Sequence, residues 1–287
     1  MKAVLFCLVL SFSTLVLVSE SATTRLTYSR WINLLRYAHS SLQRDPTAVE
    51  DRQYNRTDHV QLIADSILKH FFNDIFTPSF TEDGELVHNY DRVPVDFLIM
   101  LDSSASIGSE NFLKALQVLS TWIDILDEED FSSDQLRVSM VSFSEPDQVI
   151  HEFAFSPALN KSSVISYINS TEYHAGSSTS TAQALWLADT IFSKHARPDA
   201  AKVMLMATDG WSHDVLELPF GVLWPAVRLR KLHGVQVFTL GIGDKINHNE
   251  LEAICSKPIA NHLFEVDDYD MMLEVLEKVK ENQIFPF

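Results

Sequence analysis

Val95-Asp96-Phe97-Leu98-Ile99-Met100-Leu101 runs straight into Asp102-Ser103-Ser104-Ala105-Ser106, and this junction decides the fold. The apolar run has the unbroken character of a strand buried on both faces, as in a parallel sheet. Beyond it, Phe112, Ala115, Leu116, Leu119 and Ile123 follow helical spacing, which predicts a helix over about 110–126. The polar junction therefore sits between a strand's carboxyl end and a helix, the place where open α/β sheets collect ligands. Asp102, Ser104 and Ser106 offer one anionic and two neutral oxygens at alternate positions. Such a set suits a small divalent cation that keeps part of its charge and still wants an acidic group from elsewhere. The junction reads as a binding device before a catalytic one.

Strands and helices keep alternating to the end of the chain. Strands are predicted at 136–143, 149–155, 203–210, 235–240 and 263–266, the second of these with the in-out alternation of an edge. Helices are predicted at 160–169, from Thr181 to about Ser193, and at 222–233, 248–256 and 268–282. This order predicts one α/β domain over 93–282, a doubly wound, mostly parallel sheet with helices on both faces. Residues 283–287 are left as a short tail.

Upstream, Lys2, the apolar run Ala3–Val18 and the small residues Ser19, Ser21 and Ala22 have the order of a secretory signal, 1–21, cut near Ser21. The run is short for a membrane span, and no other stretch is apolar enough to cross a bilayer. Residues 22–76 read as a helical region: Trp31, Leu34, Leu35, Ala38 and Leu42 form one stripe, and Val60, Ile63, Ile67, Phe71 and Ile75 a second. Residues 77–92 read as a polar linker. Asn55, Asn160 and Asn169 each open an Asn-x-Ser/Thr sequon, which in an exported chain marks a glycosylation site.

Composition narrows the partners. With 22 Lys+Arg against 39 Asp+Glu the net charge is −17, which argues against nucleic acid and anionic membranes and favours cations or basic partners. Cys7 leaves with the signal, so Cys255 has no internal partner and its helical setting predicts a buried thiol. Enzyme signatures are missing. His151-Glu152 is followed by Phe155 where a metalloprotease helix needs a second histidine, and no Gly-x-Ser-x-Gly elbow occurs. Gly241-Ile242-Gly243 lacks the third glycine of a phosphate cradle. His213 is the one candidate acid or base near the junction, and contact with a ligand's rim suits it better.

Three motifs in order carry a resemblance. Asp102-x-Ser104-x-Ser106, Gly176-Ser177-Ser178-Thr179-Ser180-Thr181 and Thr208-Asp209-Gly210 resemble the von Willebrand factor type A domain family over roughly residues 93–282. The likeness is to the matrix branch, as in matrilins and the collagens bearing such domains, more than to the intracellular branch. It implies a metal-ion-dependent adhesion site (MIDAS) made of Asp102, Ser104, Ser106, Thr179 and Asp209. In that site Ser104 and Ser106 bind the cation directly, Thr179 binds directly or through water, and Asp102 and Asp209 hold the coordinating waters. The cation is Mg²⁺, with Mn²⁺ or Ca²⁺ as alternatives. A Glu or Asp of an extracellular partner, collagen or another matrix protein among the candidates, fills the open position. The expected protein is a secreted, non-enzymatic adhesion module. Two alternatives share the fold: an acidic structural component of an extracellular or mineralised matrix with a vestigial site, and a humoral recognition factor.

Overall fold

Every residue of β1, Val95–Asp102, is buried, because both faces of this strand are covered and both neighbours are parallel strands. The computed structural model describes residues 55–76, 93–208, 211–213, 221–244 and 246–284. All lie in the second of two compact units, 1–45 and 46–287. The signal (1–21), the first helical stripe, the linker (77–92) and the tail beyond residue 284 lie outside the described residues.

The sheet has six strands: β1, β2 (Leu136–Phe143), β3 (Val149–Phe153), β4 (Ala201–Thr208), β5 (Gln236–Ile242) and β6 (Leu263–Val266). Their order is β3-β2-β1-β4-β5-β6. All neighbours pair in parallel except β3, which lies antiparallel at one edge. The chain leaves β1 toward β2 on one side and returns to β4 on the other, so the topological switch point falls between β1 and β4.

The described α-helices of five residues or more are α1 (Arg56–Ile67), α2 (Ser109–Ile125), α3 (Glu128–Ser132), α4 (Lys161–Asn169), α5 (Thr181–His195), α6 (Leu223–Leu232), α7 (His248–Ile254) and α8 (Tyr269–Ile284). Alternate residues of β1 divide the core. Phe97, Ile99 and Leu101 meet α1, α2, α4 and α8, while Leu98 and Met100 meet α5 and α6. Among the described residues no helix is long and apolar enough to cross a membrane.

The helix α1 is part of the first of these layers. Val60, Ile63, Ala64 and Ile67 are buried along it, and a π-helical turn, Leu68–Asn73, then carries both Phe71 and Phe72 inward. Phe71 is wholly buried. Its ring centroid stands 4.9 Å from that of Trp122, 5.1 Å from Phe238 and 5.4 Å from Phe97, each at an edge-to-face angle, the geometry aromatic pairs prefer. Outside this cluster, Arg56 pairs with Glu274 of α8 at 2.8 Å, and Lys114 of α2 pairs with Asp270 at 2.8 Å. These pairs are solvent-exposed, so they fix orientation more than they stabilise.

Candidate metal centre

Asp102 ends β1 with its side chain buried. Its Oδ1 accepts a hydrogen bond from the Ser104 amide at 2.9 Å, and its Oδ2 accepts one from Thr208 Oγ1 at 2.7 Å. The first bond closes a tight turn after the strand. The second ties β1 to the last residue of β4 across the switch point. With both oxygens committed in this way, Asp102 is placed to orient ligands and to supply charge from behind.

The turn brings Ser104 and Ser106 together. Their Oγ atoms lie 3.0 Å apart. Two adjacent oxygens of an octahedral Mg²⁺, each at about 2.1 Å, stand about 3.0 Å from one another, so this pair has the spacing of neighbouring ligands on one ion. Ser104 is almost fully buried, and the Tyr173 hydroxyl donates to its carbonyl at 3.3 Å.

The third part of the site, the loop before α5, is stitched to the first. Ala105 donates its amide to the Gly176 carbonyl at 2.8 Å, and Ser104 and Gly176 form an isolated parallel bridge. The His174 amide donates to Ser103 Oγ at 2.9 Å. Ala175 takes a positive φ of 52° to make the turn, a conformation unusual for a residue with a Cβ. Gly176 passes so close to the loop after β2 that a Cβ would stand 2.6 Å from Ser144 Oγ and 2.8 Å from Glu145 Cγ. Any larger residue there would have to push these side chains aside.

Thr179, also almost fully buried, exchanges backbone contacts with the segment after β4. The His213 amide donates to its carbonyl at 2.9 Å, and its own amide donates to His213 Nδ1 at 3.1 Å. His213 therefore latches two loops together. Glu145 accepts from the Ser177 hydroxyl at 2.6 Å and from the Ser177 amide at 2.7 Å, and these bonds hold its carboxyl below the usual glutamate range.

Four of the five residues predicted from sequence thus fall on two loops zipped side by side at the carboxyl ends of the central strands. Asp209, the fifth, lies outside the described residues; its neighbour Thr208 ends β4 against Asp102. The sequence places Thr208 in the third motif and His213 near the junction, but it gives no sign that they bond to Asp102 and Thr179, which lie 106 and 34 positions away. Among the described residues there is no cluster of three His, Cys, Asp or Glu side chains able to hold a metal. The donors here are hydroxyls, hard oxygens of the kind suited to Mg²⁺, and the Ser104–Ser106 pair has the spacing that ion requires. The three sequon asparagines, Asn55, Asn160 and Asn169, are all exposed.

Comparison with known proteins agrees with this fold. The family model for the von Willebrand factor type A domain matches residues 96–279. The chain is 30% identical over 182 residues to the collagen alpha-6(VI) chain of Mus musculus, covering 63% of this chain and 7% of that one. It is 27% identical over 187 residues to vitrin of the same species, covering 65% and 27%. It thus spans well under two thirds of either relative. Among solved structures, proximal thread matrix protein 1 from the mussel byssus superposes with a TM-score of 0.56 at 22% identity, covering 66% of this chain and 47% of that one. A second structure of that protein has its MIDAS motif occupied by zinc.

Proposed function

Because the chain belongs to the von Willebrand factor type A domain family and is a matrix-type, non-enzymatic member of it, we propose that it is a secreted adhesion module that captures an acidic side chain of an extracellular partner through a divalent cation. The Oγ–Oγ distance of 3.0 Å between Ser104 and Ser106 carries this reading. It sets two neutral oxygens at the spacing of adjacent ligands, in front of a buried carboxylate that is already oriented.

The electrostatics follow from that arrangement. Neutral hydroxyls leave the ion most of its charge, and Asp102 and Asp209 balance it mainly through bound water. A partner carboxylate is then the best remaining ligand. The protein's overall charge of −17 opposes an acidic partner at long range. At physiological salt that repulsion is screened beyond about 8 Å, whereas the ion touches its ligand. Ser104, Ser106 and Thr179 hold the ion, His213 and Gly176 keep their loops in register, and the first residues, 1–21, direct export.

The test is capture of partners from extracellular matrix extract with and without a chelator. Binding should vanish in chelator, survive moderate salt, and be lost in Thr179→Ala. Binding that persists in chelator but fades with rising salt supports instead an acidic matrix component acting through diffuse charge.

A further inference from the structure

The helices α2 and α4 leave between them an open groove of about 410 Å³. Leu113, Leu116 and Ile165 form its apolar part, and Gln117, Ser120, Thr121 and Asp124 its polar rim. Leu113 is 67% exposed, an unusual setting for a leucine in a helix whose other apolar residues point into the core. Asn169 completes the lining, and it is the acceptor position of the sequon Asn169-Ser170-Thr171. Ile165 and Asn169 are one helical turn apart and share a face.

The root of this sequon is fixed. Ser120 Oγ donates to Asn169 Oδ1 across the groove at 3.0 Å. Just beyond, the Ser170 amide donates to the Ser166 carbonyl at 3.1 Å, and Thr171 is buried with its hydroxyl on the Tyr167 carbonyl at 3.3 Å. A group attached to Asn169 therefore starts from a rigid point in the groove wall.

We propose that this groove is the seat of an N-linked glycan on Asn169, its first two N-acetylglucosamine rings lying over Leu113, Leu116 and Ile165. The chemistry of the groove matches that of the sugar. A pyranose ring presents C–H faces, which take apolar surface out of water, and its hydroxyl and acetamido edges pair with amide, hydroxyl and carboxylate groups such as those on the rim. In the coupling step the Asn169 amide nitrogen attacks the anomeric carbon of a lipid-linked oligosaccharide. A C–N bond forms, the C–O bond to the lipid pyrophosphate breaks, and the amide gives up one proton. The other two sequons differ. Neither lines the groove: Asn160 caps α4, its Oδ1 accepting from the Ser163 amide and hydroxyl at 2.8 Å each, and Asn55 stands ahead of α1.

This inference rests on export through the secretory pathway, and the test separates the two. The full chain is expressed with its leader in a eukaryotic cell line, in a form carrying Asn55→Gln and Asn160→Gln beside the unaltered form, and its peptides are weighed. Asn169 should carry sugar, and Asn169→Gln should lower the melting temperature by about 2–4 °C, the shift that covering one exposed side chain gives a domain of this size. Leu113→Ser, a surface change that the fold tolerates, should lower it by a similar amount when the sugar is present and by less than about 1 °C in the Asn169→Gln background. Sugar on Asn55 or Asn160 but not on Asn169 overturns the proposal and leaves the secretory reading intact. No sugar at any sequon and no export overturns both. Export without sugar at any sequon, or an equal cost of Leu113→Ser in both backgrounds, overturns the groove assignment alone.

Discussion

The carboxyl end of β1 and the aromatic cluster on its odd-numbered face are equally buried, yet they are built by opposite means. At the carboxyl end the buried groups are Asp102, Ser103, Ser104, Thr179, Ser180 and Thr208, held by single hydrogen bonds between loops. Each such bond contributes roughly 1 kcal/mol net, and leaving one unmade costs more than that. In the cluster, Phe71, Phe97, Trp122 and Phe238 bury large apolar areas against one another. Each buried ring contributes about 1.5–3 kcal/mol from area alone. The contrast assigns separate tasks to the two regions. On the proposed function the loop end gives up packing for oxygens that would face a cation, and the cluster, with α1 as one wall, supplies cohesion.

Removing a ring from the cluster tests that separation most severely. Phe71→Ala leaves a cavity bounded by strands and helices that cannot easily collapse, and should cost about 3–5 kcal/mol in urea unfolding. The Mg²⁺ affinity of the folded protein should change by less than about twofold, since the ring partners of Phe71 include no residue of the candidate site. A cost below about 1 kcal/mol would mean that α1 lies loosely on the sheet and that the two regions are not divided as described.

Acid gives a smaller effect confined to the packed region and the sheet edge. Burial holds the His262 ring below its ordinary value of 6.5, and burial, with His195 nearby, does the same for His151. His262 lies on Phe238 at 4.8 Å and beside Gln236, with His70 and Asp74 facing it. The folded state favours both neutral rings, so below pH 6.5 the unfolded chain binds more protons. Their contribution is complete above that pH and drains away as the pH falls through it. Stability measured from pH 8 down to pH 5 should decline below 6.5, and His262→Gln should flatten the decline.

The two regions were not equally legible in the sequence. The strands show as apolar runs, and the motifs that follow them put the candidate site at the carboxyl end of a central strand; that this end is the switch point follows only from the strand order. Asp102-x-Ser104-x-Ser106 is local, so its geometry could be read from spacing. The bonds from Asp102 to Thr208 and from Thr179 to His213 join distant positions, and spacing carries no trace of them. In the second helical stripe, a strict helical period placed Ile75 on the inward face with Phe71. The π turn shifts the register by one residue, so Phe72 goes in and Ile75 stays at the margin. The short helix α3, Glu128–Ser132, left no signal because five mostly polar residues cannot show a period. The second stripe does not by itself say what its helix packs against; Phe71 shows that it lies on the sheet.

Calorimetric titration of Mg²⁺ into the full chain, beside Ser104→Ala and Asp209→Ala, tests the central claim most directly. One ion per chain is expected, with an affinity at least about tenfold weaker in each variant and unfolding midpoints close to that of the parent. Unchanged affinity in both variants, or many weak sites in place of one, would contradict it.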